Sequence, residues 1–250
     1  EDRWSELRAC YYAMCARVDH QFKLVTDALK SRGMYEDTAA FLFSDHGDYT
    51  GDYGIVEKTQ NTFEDCLSRV PFFVKPPAGH VVKPRVCDAL VELVDLSATV
   101  YDLTGIDPGY DAFGRSLLPL VAGETETHRD AVFCEGGRLP GEEQAMEKEF
   151  GAGMSHEAWT RTLYYPRAAL QRSDEPPCHG KAVMCRTATH KYIKRLLERD
   201  ELYDLEMDPH ECRNVIDDPA YAEVLATLKE RLLQWYMETC DVVPRNTDRR

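Results

Sequence analysis

Asp45 and His46 stand side by side where a short apolar run, Phe41-Leu42-Phe43, comes to an end, and Gly47 follows them. A carboxylate offers a hard anionic oxygen and a neutral imidazole a ring nitrogen, so two adjacent donors of this kind suit a divalent metal ion. In open α/β sheets the carboxyl ends of strands face the crevice where ligands gather. Gly47 is read as the residue that lets the backbone turn sharply without a side-chain clash. Residue type alone also describes a solvated turn, with Asp45 capping its own backbone and His46 on the surface. Lys58 lies within a polar loop, residues 48–61, that also carries Gly51 and Gly54. Such a loop is long enough to fold over a site and return Lys58 toward the two donors.

The elements that must hold these residues can be read from periodicity. Apolar residues at 4, 7, 11, 14, 18, 22, 25 and 29 mark one face of a long helix, with Lys30 and Arg32 in its last turn and Gly33 beyond. That face is expected to be core. Thr38–Ser44 reads as a buried strand, and Phe72-Phe73-Val74, closed by Pro76-Pro77, as a second one. Residues 86–103 read as one or two helices with Asp95 as an N-cap and Gly105 as the stop. Periodicity lapses near Gly123–Thr127. Beyond it Ala131–Glu135, Ala182–Arg186 and Lys191–Leu197 read as strands, the last two joined by a hairpin through Ala188-Thr189-His190. Asp217 or Asp218 with Pro219 opens a final helix whose stripe is Tyr221, Val224, Leu225, Leu228, Leu232, Trp235 and Tyr236. The tail after Val243 is expected to fray. The fold class is therefore α/β, with a smaller C-terminal α+β part made of an antiparallel sheet and a terminal helix. The expected division is 1–124 and 125–250, with a long insertion over 136–180.

Several blocks together resemble a known family. Ser44-Asp45-His46-Gly47, Gly51-Asp52-Tyr53-Gly54, Lys58, Phe63-Glu64 and Arg69-Val70-Pro71-Phe72-Phe73-Val74 resemble the second signature region of the sulfatases, within the alkaline phosphatase superfamily. Tyr11-Tyr12 and Val18-Asp19-His20 resemble the family's helix before that strand. Arg186-Thr187, Lys191-Tyr192-Ile193, Glu201-Leu202-Tyr203-Asp204-Leu205, Asp208-Pro209-His210-Glu211 and Asn214 resemble its C-terminal closing segment. The resemblance implies an alkaline-phosphatase-like mixed sheet flanked by helices. It also implies that Asp45 and His46 are two ligands of a divalent cation, usually calcium, and that Lys58 contacts the substrate's sulfate group. An ammonium suits this because it can donate to ester oxygens as charge builds during S–O cleavage.

One part of the pattern is absent from the sequence. The family's nucleophile is a formylglycine made within Cys-x-Pro/Ala-x-Arg, and no such motif occurs here; Cys66-Leu67-Ser68-Arg69 lacks the spacing. The paired aspartates that complete the family's metal site are missing too. The expectation is a C-terminal portion of a longer sulfatase, inactive by itself, whose partners are the remaining N-terminal part of the enzyme and a sulfated small molecule or glycan. A phosphoester or phosphonate hydrolase of the same superfamily, or a non-catalytic sulfatase-like binding module, are the alternatives.

Composition narrows the field further. A formal charge of −14 argues against a nucleic-acid binder, since no basic stripe offsets it. No run approaches the roughly 18 apolar residues of a membrane span. Nine cysteines are scattered without a Cys-x-x-Cys, as buried thiols of a reducing compartment such as the cytoplasm would be. Cys178-His179 with Cys185 and His190 matches no zinc spacing. Within the insertion, His156, Trp159, Tyr164, Tyr165 and Arg167 could line a sugar or aryl pocket, although packing is the commoner role of such residues.

Overall fold

The computed structural model describes residues 2–142, 155–162 and 179–240, apart from the side chains of Asp2, His156 and Trp159. Two compact units emerge, one drawn from residues 1–78, 136–181 and 196–198 and the other from 79–135, 182–195 and 199–250.

The first unit is built on α1 (Asp2–Ser31) and a ribbon of β1 (Ala40–Phe43) and β4 (Phe72–Lys75). β1 and β4 pair antiparallel, with Phe43 opposite Phe72 and Leu42 opposite Phe73. Directly opposed residues share a face and neighbours along a strand alternate, so Phe43 and Phe73 project from opposite faces. They are 42% and 62% exposed. The expectation of two buried strands is corrected: among the described residues neither face of the ribbon is fully covered. The helix face is corrected in the same way. Trp4, Leu7, Tyr11, Phe22 and Leu29 are half-buried and Thr26 is buried, whereas Met14, Val18 and Val25 are exposed. At 3.6 residues per turn exposed Val25 falls on the line of half-buried Leu7, and exposed Val18 within about 20° of half-buried Tyr11, so cover changes along the helix more than around it. The apolar stripe is longer than the surface it meets.

Entry into β1 is pinned by Lys75. Its ammonium donates to the carbonyls of Tyr35 (2.6 Å), Glu36 (3.1 Å) and Thr38 (3.1 Å) and stands 4.5 Å from the centre of the Tyr35 ring. Between β1 and β4 lie a short hairpin, β2 (Tyr49–Thr50) with β3 (Val56–Glu57), and a single helical turn, α2 (Asp65–Ser68). α1 seats the hairpin. Arg8 Nε donates to Thr50 O at 3.0 Å, and a side chain on Gly51 would come within 2.8 Å of the Trp4 ring.

The second unit contains α3 (Val94–Thr104), α4 (Leu118–Ala122) and a four-stranded sheet. Its strands are β5 (Val132–Gly136), β6 (Ala182–Arg186), β7 (His190–Arg195) and β8 (Glu201–Asp204), in that spatial order. β6–β7 and β7–β8 are antiparallel. A further helical turn (His156–Thr160) belongs to the first unit. The terminal helix Ala222–Thr239 packs Leu228 and Leu232 with Ala131, Val183, Cys185, Tyr192, Leu202 and Val215 into one core. It is entered as expected: Asp218 caps a 3₁₀ turn at Pro219–Tyr221 by accepting the amide of Ala220 at 3.0 Å. Trp235 closes the core by stacking on Phe133 with ring centres 4.7 Å apart.

Asp95 is not the N-cap of α3. It lies in the first turn, fully buried, at the centre of a charged cluster. Its carboxylate accepts from the amides of Glu92 (2.9 Å) and Arg115 (2.8 Å), from the guanidinium of Arg129, and lies 3.2 Å from His128 Nε2. Burial alone would raise its pKa, but Arg129 and the two amides outweigh burial and hold it below the usual carboxylate range. Burial lowers His128 below 6.5, with Asp95 opposing and Arg129 assisting. Both groups therefore bind fewer protons folded than unfolded, and their contribution to stability is complete above about pH 6.5. The melting temperature is expected to fall in two stages on acidification, below about pH 6.5 as the unfolded chain takes up the His128 proton and below about pH 4 through Asp95. His128→Gln should flatten the upper stage alone, which a melting series from pH 8 to 3 would resolve.

Among the described cysteines the expectation of buried thiols also fails. Cys185 is buried and Cys66 half-buried, but Cys10, Cys15, Cys87, Cys134, Cys212 and Cys240 are exposed, and all eight are free. No described helix is long and apolar enough to cross a membrane.

Candidate metal and anion site

β1 ends at Phe43, and the next residues turn out of the ribbon. Ser44 Oγ donates to the carbonyl of His46 at 2.7 Å and the amide of His46 donates to Asp45 Oδ1 at 3.0 Å, a local lattice that leaves Oδ2 open. His46 Nδ1 lies 2.7 Å from the Gly47 carbonyl. A carbonyl can only accept, so Nδ1 carries the proton and the lone pair of the neutral ring is on Nε2. That nitrogen stands 3.7 Å from Asp45 Oδ2. Two donors at this separation can meet one cation at about 2.2–2.4 Å each, the range for oxygen and nitrogen ligands of divalent metals. The donor chemistry thus fits a metal as two of its ligands. Asp45 is 84% exposed and His46 43%, and no third histidine, cysteine, aspartate or glutamate joins them among the described residues.

Gly47 proves necessary for a reason other than the one anticipated. It is not in the left-handed region; instead, a Cβ there would fall 1.9 Å from the carbonyl oxygen of Cys66. The backbone is docked against α2, with Gly47 N donating to Leu67 O at 2.7 Å and Asp48 N to Cys66 O at 3.0 Å. Cys66, the motif lookalike, serves here through its carbonyl. Gly47→Ala must push the two segments apart, and a loss of about 2 kcal/mol or more is expected. Amide exchange should show the opening at Gly47 and Asp48, while an unchanged unfolding midpoint would contradict the close approach.

Lys58 is returned by the hairpin. Tyr49 pairs with Glu57 and Thr50 with Val56, so Lys58 directly follows the second strand of the hairpin as Asp48 directly precedes the first, and Glu57, at φ 66, turns the chain out of the ladder at that point. Lys58 is exposed, and among the described residues its ammonium has no hydrogen-bond or ion-pair partner. The three residues read from the sequence are therefore gathered within one small loop system. What the sequence did not single out is Tyr49, buried beneath that system, with its hydroxyl bonded to Glu64 and 2.9 Å from Thr62. An aromatic two positions after the glycine is the only signal it gives. Of the pocket residues suggested in the insertion, Tyr164, Tyr165, Arg167 and the side chains of His156 and Trp159 lie outside the described residues, as does Cys178 of the zinc spacing.

Comparison with known proteins bears on the whole chain. The family model described as Sulfatase matches residues 1–106, and a second, described as N-sulphoglucosamine sulphohydrolase, C-terminal, matches residues 148–238. The chain belongs to the sulfatase family. This sulfatase-family chain is 28% identical to the choline-sulfatase of Rhizobium meliloti, covering 100% of the chain and 42% of that protein. It is 27% identical to an arylsulfatase of Clostridium perfringens, over 91% of the chain and 39% of the relative. Among solved structures, the phosphonate monoester hydrolase of Agrobacterium radiobacter superposes with a TM-score of 0.72 at 26% identity, covering 96% of the chain and 45% of that structure. The sulfatase-family chain thus spans about two fifths of the length of the curated relatives it matches. The likeness extends to the α/β fold, with its C-terminal antiparallel sheet and terminal helix.

Proposed function

We propose that these residues form part of the catalytic machinery of a sulfate ester hydrolase, with Asp45 and His46 holding a divalent cation and Lys58 binding the sulfate group. The reading is carried by one juxtaposition: an open carboxylate oxygen and an imidazole lone pair 3.7 Å apart, beside a hairpin that returns an unpaired ammonium. A bound cation would supply Lewis-acid polarisation of a sulfuryl oxygen. Asp45 and His46 orient that ion and transfer no proton. The Gly47 carbonyl keeps the histidine in the ligating tautomer. Lys58 places donors on the non-bridging oxygens, where charge develops as the ester bond breaks. Calcium follows from the family resemblance, whereas the nitrogen donor also suits manganese or zinc. The nucleophile, a formylglycine by the same resemblance, is not encoded in these 250 residues, which hold no Cys-x-Pro/Ala-x-Arg. A sulfated small molecule or glycan is the proposed substrate, and the chain on its own is proposed to be inactive.

The likeness to a phosphonate monoester hydrolase favours a second reading, in which the same cation pair and lysine serve a phosphonate ester. An aryl sulfate and a phenyl phosphonate monoester, assayed with the chain alone and with the catalytically complete protein, separate the two. The expected result is a higher kcat/KM for the sulfate with the complete protein and no turnover by the chain. A preference for the phosphonate would overturn the sulfatase assignment.

A further inference from the structure

Tyr49 is 2% exposed, and its ring stands edge-on to Tyr53 with centres 5.9 Å apart. Its hydroxyl has one proton, and that proton is given to the carboxylate of Glu64. Burial, reinforced by that neighbouring carboxylate, pushes the phenol pKa far upward, so the hydroxyl keeps the proton that it donates. The phenol oxygen also lies 2.9 Å from Thr62 Oγ1, and the hydroxyl of Thr62 meets that of Thr59, the residue after Lys58. Glu64 is equally the start of α2. Its carbonyl accepts from the amides of Leu67 (2.8 Å) and Ser68 (3.0 Å), and the carbonyls of the same turn hold Gly47 and Asp48.

One buried side chain therefore joins two arms. The first runs from Glu64 through α2 to the backbone directly after Asp45 and His46. The second runs from Thr62 through Thr59 to Lys58. The segment that carries Thr62 and Glu64 is also held by Gly137 N donating to Gln60 O (2.8 Å) and Asn61 Nδ2 donating to Gly180 O (3.0 Å), while Lys58 is joined to the backbone after the Asp45–His46 pair through a ladder of two residue pairs, Tyr49–Glu57 and Thr50–Val56. So short a ladder frays easily, and a lysine brings further freedom of its own. A phenol, with two side-chain torsions, is by contrast a stiff strut.

We propose that Tyr49 and Glu64 are positioning residues that set the gap between the Asp45–His46 pair and Lys58 for an anionic ester bound between them. The inference rests on the function proposed above. Neither residue touches substrate; each acts through the backbone that presents Lys58 and the metal pair.

A mutant cycle in the catalytically complete protein tests it, using Tyr49→Phe, Lys58→Ala and the double variant with an aryl sulfate. With Lys58 present, Tyr49→Phe is expected to lower kcat/KM about tenfold, as a displacement of under an ångström can. With Lys58 already alanine, the same change should cost less than about twofold, because the group it positions is gone. Glu64→Gln, which keeps an acceptor for the phenol, should recover most of the rate lost in Glu64→Ala. A tenfold loss that persists in the Lys58→Ala background would mean that Tyr49 supports the fold generally, and the proposal would fall; so it would if Tyr49→Phe left the rate unchanged. Should Tyr49→Phe not yield folded protein, Thr62→Val cuts the second arm and the same cycle is read on it. Lys58→Ala without effect would instead overturn the underlying site reading, a result distinguishable from either of the others.

Discussion

Removing the Asp45 carboxylate, as Asp45→Ala, is expected to lower turnover of a sulfate ester by the catalytically complete protein at least about a thousandfold, and to weaken binding of the divalent cation. The side chain is 84% exposed and its described contacts are with the amide and ring of His46, so the melting temperature should scarcely move. Two readouts therefore separate: activity and cation affinity collapse, stability does not. Titrations with calcium and with manganese, run separately, also test the donor set. Calcium takes six to eight oxygen ligands, and an imidazole among them shifts preference toward softer divalent ions. Asp45→Asn keeps the shape and one oxygen, and should retain part of the affinity with less of the rate. Activity and affinity both surviving Asp45→Ala would show that the open oxygen facing His46 has no cation to hold.

The second large effect is one of stability. Lys191, the second residue of β7, and Glu211 in the loop after β8 form an ion pair with side chains 0% and 2% exposed. Lys191 lies between Arg186 of β6 and Tyr203 of β8 in the strand register, with no direct route to water. Glu211 sits at φ 54, a conformation unusual for a residue with a Cβ, and its amide donates to Asp208 O at 3.0 Å. Lys191→Met leaves a carboxylate stranded in the interior, and a loss of about 3–5 kcal/mol is expected. The double change Lys191→Met with Glu211→Gln removes both charges and should be less destabilising than the two single losses added together. Urea unfolding of the four proteins supplies the comparison. A cost for Lys191→Met below about 1 kcal/mol would mean that Glu211 readily finds other donors and that the pair is not what fixes this loop.

How far the molecule could be read in advance depended on the range of the interactions involved. The end of the strand at Phe43 and the turn that carries Asp45 and His46 were legible because strand and turn are contiguous. The strands Ala182–Arg186 and His190–Arg195 and the proline-led entry to the last helix were read nearly to the residue, since alternation and capping are local. β8 was met only as a block of family resemblance, because Glu201-Leu202-Tyr203-Asp204 is too short to display a period. Asp95 was misplaced for a different reason. An acidic residue ahead of an apolar run resembles a cap, and only the arrival of Arg129, His128 and the Arg115 amide makes it the hub of a buried cluster.

Tertiary structure alone decided three matters. It gave Gly47 its purpose, since a close approach by Cys66 O cannot be foreseen from a glycine's backbone freedom. It brought Tyr49, Thr62 and Glu64 together beneath the site, a contact among side chains spread over sixteen positions. It also settled which apolar residues are covered: composition makes Met14, Val18, Phe43 and Phe73 candidates for a core, but burial depends on which surface arrives. The sequence by itself determined the α/β class and the family, because each is carried by residue types at short fixed spacings. Coverage and close approach are properties of surfaces distant along the chain, which exist only once it has folded.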